Sequence, residues 1–461
     1  LFFCVPGEKV DGHEFAAAVV EAGAVGLVVE RELDLDVAQV VVPDARVAMA
    51  PLAARFWGDP TAELRVVGVT GTNGKTTTAF LIREVLEAAG VQCGLMGTVL
   101  QVVGGVEEEI ERTTPEAIDL QATFRRMLEA GDRACAIEVS SHALALHRCD
   151  AIHFEAALFT NLTQDHLDFH GTMEDYFRSK RLLFEMEPRA SIANVDDPYG
   201  RRLVGEFECT TFSVGGAEAD FAARDISFDT AGARFTAFSP PTGLNTDSES
   251  GFWAVGGGVA VRTGLPGEFN VANALAAFAA AVEMGVAPEI AAEGLGRAER
   301  VPGRFEPVEE GQDFAVLIDY AHTPDSLENV LRAARRLTEG RVIAVFGAGG
   351  DRDRDKRPKM GRAGAAGSDL AIVTSDNPRS EEPGAIIDEV AGGIENGASF
   401  EVEQDRRAAI ARALREATAG DTVVIAGKGH EQGQEFEDGR KVPFDDREVA
   451  REELRKLVGA G

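Results

Sequence analysis

The sequence predicts a three-domain α/β protein, and three observations carry that expectation. Its 461 residues correspond to about three domains of roughly 150 residues each. Short apolar β-rich runs recur, each followed by a Gly/Asp/Asn/Ser turn and an amphipathic helical pattern, the pattern of parallel sheets with helical crossovers. No segment of roughly 20 to 50 residues repeats, which excludes solenoids and propellers.

Taken along the chain, Leu64 to Val69, Ala134 to Val139, Ala156 to Phe159, Val316 to Ile318, Val342 to Phe346, Leu370 to Thr374 and Thr422 to Ile425 read as strands. Between Asp220 and Gly267 the runs shorten and alternate, as in Ala233 to Phe238, which predicts a small antiparallel side sheet. The Gly-, Ser- and Thr-rich stretch Thr242 to Gly258 reads as a long hairpin or exposed loop. Turns at Gly58 to Thr61 and at Val301 to Arg304 set the expected domain limits at 1–62, 63–302 and 303–461. The chain starts without Met in an apolar strand-like run, Leu1 to Val5, so the first domain is read as truncated at its start.

Composition narrows the function classes. With 46 Lys plus Arg against 77 Asp plus Glu, the formal net charge of −31 repels nucleic acid and anionic membranes at long range. No apolar run reaches the roughly 18 residues of a membrane helix. Five cysteines without a C-x-x-C pair argue against a disulfide framework or a thiolate zinc site and point to a reducing cytoplasm.

The first chemical signal is Thr70-Gly71-Thr72-Asn73-Gly74-Lys75-Thr76-Thr77, between the strand ending at Val69 and a helix read over Ala79 to Ala88. Glycines in a strand-to-helix turn let backbone N–H groups converge on phosphate oxygens, a lysine neutralises the β/γ phosphates, and a hydroxyl ligates Mg²⁺. The strict phosphate-loop pattern has glycine where this chain has Val69. A bland connector turn is the competing reading. Scarcity argues against it: lysine occurs at only eight positions, and arginine supplies nearly all other positive charge.

That loop resembles the ATP loop of the Mur ligase family, and further segments match in the family's order: Glu138 to Leu144, Asn161 to Asp168, Asp319 to Pro324, Gly349 to Asp353 and Asp376 to Arg379. They are most similar to the family branch that adds diaminopimelate. The resemblance spans nearly the whole chain. It implies a truncated amino-terminal domain for the UDP-sugar, a central P-loop ATPase domain with the side sheet, and a Rossmann-like carboxyl-terminal domain for the amino acid. It also implies ATP-dependent amide synthesis in peptidoglycan assembly through an acyl phosphate, by a monomer acting on UDP-N-acetylmuramoyl-dipeptide and meso-diaminopimelate.

The site residues implied are as follows. ATP falls to Gly71, Thr72, Asn73, Gly74, Lys75, Thr76 and Thr77, joined by Asn270, Arg304, Asp319 and His322. Mg²⁺ falls to Thr76, Glu138, His166 and Lys180, the last as a carbamate formed with CO₂. The muramoyl-dipeptide falls to Thr113, Thr114, Ser140 and Arg148, and diaminopimelate to Arg352, Asp376, Asn377, Arg379, Gly427 and Glu431. Lys75, Lys180 and His166 are the expected catalytic set.

Bland readings stand beside these. Thr114 with Pro115 reads as the cap of a helix from about Ala117, His166 as a core histidine, and Lys180 as half of a helix-surface ion pair. A lysine-adding ligase or a folylpolyglutamate synthase shares the domain plan, and a non-catalytic ATP-binding switch shares the loop. Arg379 separates the lysine enzyme, and Lys75, Thr76, Glu138, His166 and Lys180 together disfavour the switch.

Overall fold

The computed structural model describes residues 1–7, 10–110, 112–239, 258–298 and 300–459. Residues 242–257 of the expected hairpin lie outside these.

Three parallel-rich sheets follow one another along the chain. β1 (Phe2–Phe3), β2 (Gly26–Val29) and β3 (Ala38–Val41) form a small parallel sheet at the amino terminus. The central sheet holds β4 (Arg65–Thr70), β5 (Cys93–Met96), β6 (Gln101–Val103), β7 (Val106–Glu108), β8 (Ala134–Glu138), β9 (Phe154–Phe159), β10 (Ala190–Asn194), β11 (Thr210–Ser213), β12 (Phe221–Asp229), β13 (Gly232–Phe238) and β14 (Val259–Thr263). Its order is β14-β13-β12-β11-β10-β9-β4-β8-β5-β6-β7. The third sheet runs β15 (Glu306–Pro307), β16 (Ala315–Asp319), β20 (Thr422–Ala426), β17 (Val342–Phe346), β18 (Leu370–Val373) and β19 (Phe400–Val402), parallel except at β15. A short hairpin of β21 (Gly433–Glu435) and β22 (Lys441–Pro443) follows.

The apolar runs become these strands because each is buried on both faces, as parallel strands covered by helices must be. All residues of β8, β17, β18 and β20 are buried. The antiparallel strands expected after Asp220 are present, but they continue the central sheet: β12 pairs in parallel with β11 before turning antiparallel to β13. The alanine-rich helix Glu268–Glu283, buried over most of its length, packs on the sheet with small side chains facing inward.

One local expectation is corrected. The helix starting at Ala117 has Glu116, not Thr114, as its N-cap, and Pro115 lies outside it. The Thr114 hydroxyl is engaged elsewhere, donating to the Glu138 carbonyl at 2.8 Å and accepting from the Ser140 N–H at 3.1 Å. It therefore pins the end of β8 instead of capping a helix.

Candidate functional site

β4 ends at Thr70 and the helix Lys75–Ala88 begins after a four-residue turn. Gly71 and Gly74 hold φ of +146° and +87°, and a Cβ there would lie 1.9 Å from Thr160 Oγ1 and 2.3 Å from Asn273 Oδ1. Only glycine fits both conditions. The turn forms one wall of a cavity of about 260 Å³ lined by Thr72, Asn73, Gly74, Lys75, Thr76 and Thr77. Lys75 Nζ bonds the carbonyls of Gly71 and Thr72 at 3.0 and 2.8 Å, and burial pulls its ammonium below the usual lysine range.

Parallel strands deliver the other groups to the same edge. Glu138 ends β8, lines the cavity, and is gripped by Thr98, whose N–H and hydroxyl donate to its two oxygens at 2.7 and 3.0 Å. Lys180, on the helix Met173–Glu185, is buried, donates to the Gly71 carbonyl at 2.7 Å and lies over the Tyr176 ring. Burial, reinforced by Lys75, drives its amine well below the ordinary lysine value. A helix-surface ion pair is thereby excluded for Lys180.

His166 starts a short helix with φ +56° and also lines the cavity. Burial holds its imidazole neutral, pushed down to about 2 despite Asp165 at 3.3 Å. Asp165 is itself buried. Burial alone would raise it, yet Lys356 and His322 outweigh that and keep the carboxyl well below the ordinary carboxylate range.

The third sheet closes the cavity from the opposite side. Arg304 donates to Thr76 Oγ1 at 2.8 Å and stacks on Tyr320. Asp319, at the end of β16, accepts from the Phe305 and Ala321 N–H groups, and His322 Nε2 lies 3.5 Å from Asp165. Asn73 reaches across to Asp325 at 2.8 Å. Asn270 lies behind this wall, bonding the Pro266 carbonyl and Asn273, and it is Asn273 that lines the cavity.

At the far end stand Thr113 and Ser140. The Thr113 hydroxyl is 3.0 Å from that of Thr98, and Ser140 caps the helix Ser141–Ala145. Arg148 donates to the Thr114 carbonyl and pairs with Glu116 at 2.8 Å, leaving its buried Nε without a partner.

The remaining six expected residues sit on loops at the carboxyl ends of β17, β18 and β20, the edge where open α/β sheets bind ligands. Asp376 and Asn377 are buried; a Cβ on Gly427 would lie 2.4 Å from Asp376 Oδ2. Lys428 bonds both Asn377 and Glu431. Burial works against charge on Asp376, but Lys428 and Arg406 outweigh it. Arg379, at φ +52°, donates to Glu435 at 3.1 Å and to the Gly350 carbonyl at 2.7 Å. The half-exposed Arg352 approaches Asp168 at 3.9 Å.

Two family models match the chain, the Mur ligase middle domain over residues 69–281 and the Mur ligase glutamate ligase domain over 303–429. A relative from Syntrophomonas wolfei, called UDP-N-acetylmuramoyl-L-alanyl-D-glutamate 2,6-diaminopimelate ligase, is 44% identical, with 99% of this chain and 92% of the relative covered. The chain belongs to the Mur ligase family. A ligase of the same name from Gloeobacter violaceus is 46% identical, with 100% and 92% covered. A solved structure of that name superimposes with a TM-score of 0.67 at 32% identity, covering 99% and 92%. A folylpolyglutamate synthase of Mycobacterium tuberculosis reaches a TM-score of 0.65 at 16% identity, with 90% and 95% covered, which shows the shared fold alone.

This Mur ligase gathers Lys75, Thr76, Glu138, His166, Lys180, Arg304 and His322 around one cavity. Among the described residues no three His, Cys, Asp or Glu side chains form a metal cage. Mg²⁺ seldom uses one, being held by one or two carboxylates with phosphate oxygens and water. Glu138 and the Thr76 hydroxyl, both on the cavity wall, suit that mode. Sequence reasoning missed Thr98, Asp165, Tyr176, Asn273, Lys356 and Lys428. The scarcity of lysine, already applied to Lys75, was the signal available for the last two, for Lys180, Lys356 and Lys428 are all buried.

Proposed function

We propose that this Mur ligase joins meso-diaminopimelate to the D-glutamyl carboxylate of UDP-N-acetylmuramoyl-L-alanyl-D-glutamate, consuming ATP, in the cytoplasmic stage of peptidoglycan assembly. The functional units follow the limits 1–62 for the UDP-sugar, 63–302 for ATP and 303–461 for the amino acid, within a monomer. The observation that carries this reading is the cavity in which the glycine turn, Lys75, Lys180, Arg304 and Glu138 converge with Thr113 and Ser140. The names of the relatives favour diaminopimelate over lysine or folate as substrate.

The chemistry asks two anions to meet. A carboxylate oxygen attacks the γ-phosphorus and ADP leaves; the amine then attacks the acyl carbon, and phosphate departs as a proton is lost. Lys75 and Arg304 neutralise the phosphates, lowering the repulsion at the reacting oxygens. Mg²⁺ at Thr76 and Glu138 would supply further charge neutralisation between the β and γ phosphates. Burial disfavours the charged form of Lys180, the uncharged amine is the form that adds CO₂, and the resulting carbamate would be an anion fit to hold a second cation. Thr113, Thr114, Ser140 and Arg148 hold the dipeptide, and Arg352, Asp376, Asn377, Arg379, Gly427 and Glu431 orient the incoming amino acid, with guanidinium forks for its carboxylates and acceptors for its ammonium groups.

Phosphate release from ATP, measured with UDP-muramoyl-dipeptide and a panel of amino acids, tests the reading. Release should depend on both substrates and be fastest with meso-diaminopimelate. Release independent of the amino acid, or fastest with lysine, would refute it.

A further inference from the structure

The contacts of two adjacent residues at the start of the helix Lys356–Gly367 are not used by the chemistry above. Arg357 is fully buried. Its guanidinium takes both oxygens of Glu381 at 2.6 and 2.9 Å, one oxygen of Glu389 at 2.9 Å, and the Gly349 carbonyl at 3.3 Å. Glu381 in turn accepts from the Asp351 N–H at 2.6 Å, while the Asp351 carboxylate accepts from the Ser380 N–H and hydroxyl. The loops after β17 and β18, which carry Arg352 and Arg379, are therefore tied to each other through Arg357.

One residue earlier the direction reverses. Lys356 points across to the central domain, where Nζ lies 3.4 Å from Asp165 Oδ1, both side chains only 6% exposed. The same junction has Gln164 donating to Asp353 at 2.9 Å and Lys359 to Gln164. Removing one partner of a buried ion pair leaves an uncompensated charge, so such a pair fixes geometry strongly. Lys356 is buried, unlike the exposed Lys359, Lys441 and Lys456.

Resting on the proposed function, we infer that Lys356 and Arg357 form one positioning device, Arg357 holding the two amino-acid loops together and Lys356 setting them against Asp165, so that the amino-acid site is registered on the phosphate cavity. Neither residue touches a reacting atom. Both act through others: Arg357 through Glu381 and the loop backbone, Lys356 through Asp165.

The test combines a double-mutant cycle with a distance. Lys356→Met and Asp165→Asn should each lower kcat/KM for meso-diaminopimelate by roughly tenfold or more, about 1.4 kcal/mol being one power of ten, while the double variant falls no further than the worse single. Lys356→Arg should recover part of the loss. Energy transfer between labels on the central and carboxyl-terminal domains, read without any amino acid, should show a broader distance distribution in Lys356→Met than in wild type. Losses that multiply in the double variant, or an unchanged distance distribution, would overturn the inference. Should Lys356→Met fail to fold, Glu381→Gln decides: a several-fold rise in KM for the amino acid is expected, and an unchanged KM contradicts the device. If wild type prefers a different amino acid, the substrate reading fails while the distance measurement stands.

Discussion

Lys180 and Arg379 show how surroundings assign work to a side chain. The Lys180 amine is enclosed beside Lys75, and that enclosure disfavours its charged form. Lys180→Ala should therefore be inactive but folded, and a short added carboxylic acid should restore part of the turnover by standing in for a carbamate; full activity of the unrescued variant would remove Lys180 from the mechanism. Arg379 is already held by Glu435 and Gly350, which orients its fork toward the loop cluster or serves only the loop. If it meets the distal carboxylate that lysine lacks, the charge-assisted bonds are worth about 1.5 to 3 kcal/mol. Diaminopimelate should then be preferred over lysine at least tenfold, since about 1.4 kcal/mol is tenfold, and Arg379→Ala should erase most of that preference. An equal loss for both amino acids in kcat/KM would reduce Arg379 to a loop tie. At this scale Lys75 and Glu138 could be placed at the cavity from the sequence because one follows a glycine turn and the other ends an apolar strand, whereas Lys180, inside a helix, was singled out by the family resemblance alone. Asp165 and Lys356 were not paired by any such rule, because they meet only when two domains dock across 191 positions of chain.

Loops at the carboxyl edge of the third sheet depend on ion pairs as well as on burial. Glu381 is lowered to about 2, chiefly by its bonds to Arg357 and against its own burial. A depressed carboxyl contributes stability that is present above its unfolded value, about 4.3, and is lost as pH falls through the folded one. Thermal unfolding of Glu381→Gln should accordingly lose roughly 1–3 kcal/mol relative to wild type at pH 6 and clearly less at pH 2.5, where part of the contribution remains; an equal difference at both pH values would contradict this. The seven strands read from apolar runs lie within one or two residues of β4, β8, β9, β16, β17, β18 and β20 because buried parallel strands need such runs, whereas the parallel strands β2, β5, β10, β11 and β19 were not read. The Thr114 cap was misread because a Thr-Pro pair ahead of a helix fits a cap locally, and only the neighbouring end of β8, 24 residues on, claims the hydroxyl.

In the whole molecule, a net charge of −31 surrounds a cavity whose wall sets Lys75 and Arg304 among Glu138, Asp165, Asp319 and Asp325, so an anionic substrate entering against the global field is met there by those two cations. The three-part α/β plan followed from length and periodicity, while the junction between the central and last parts did not, being made of single residues from distant segments. In the proposed reaction the carboxylate is activated by phosphoryl transfer before the amine attacks. The most direct measurement uses UDP-muramoyl-dipeptide labelled with ¹⁸O in the D-glutamyl carboxylate, with ATP and meso-diaminopimelate, followed by mass analysis of the released phosphate. One labelled oxygen per phosphate, matched by one amide formed, is the predicted result; unlabelled phosphate accompanying amide formation would contradict the acyl phosphate and with it the role given to the cavity.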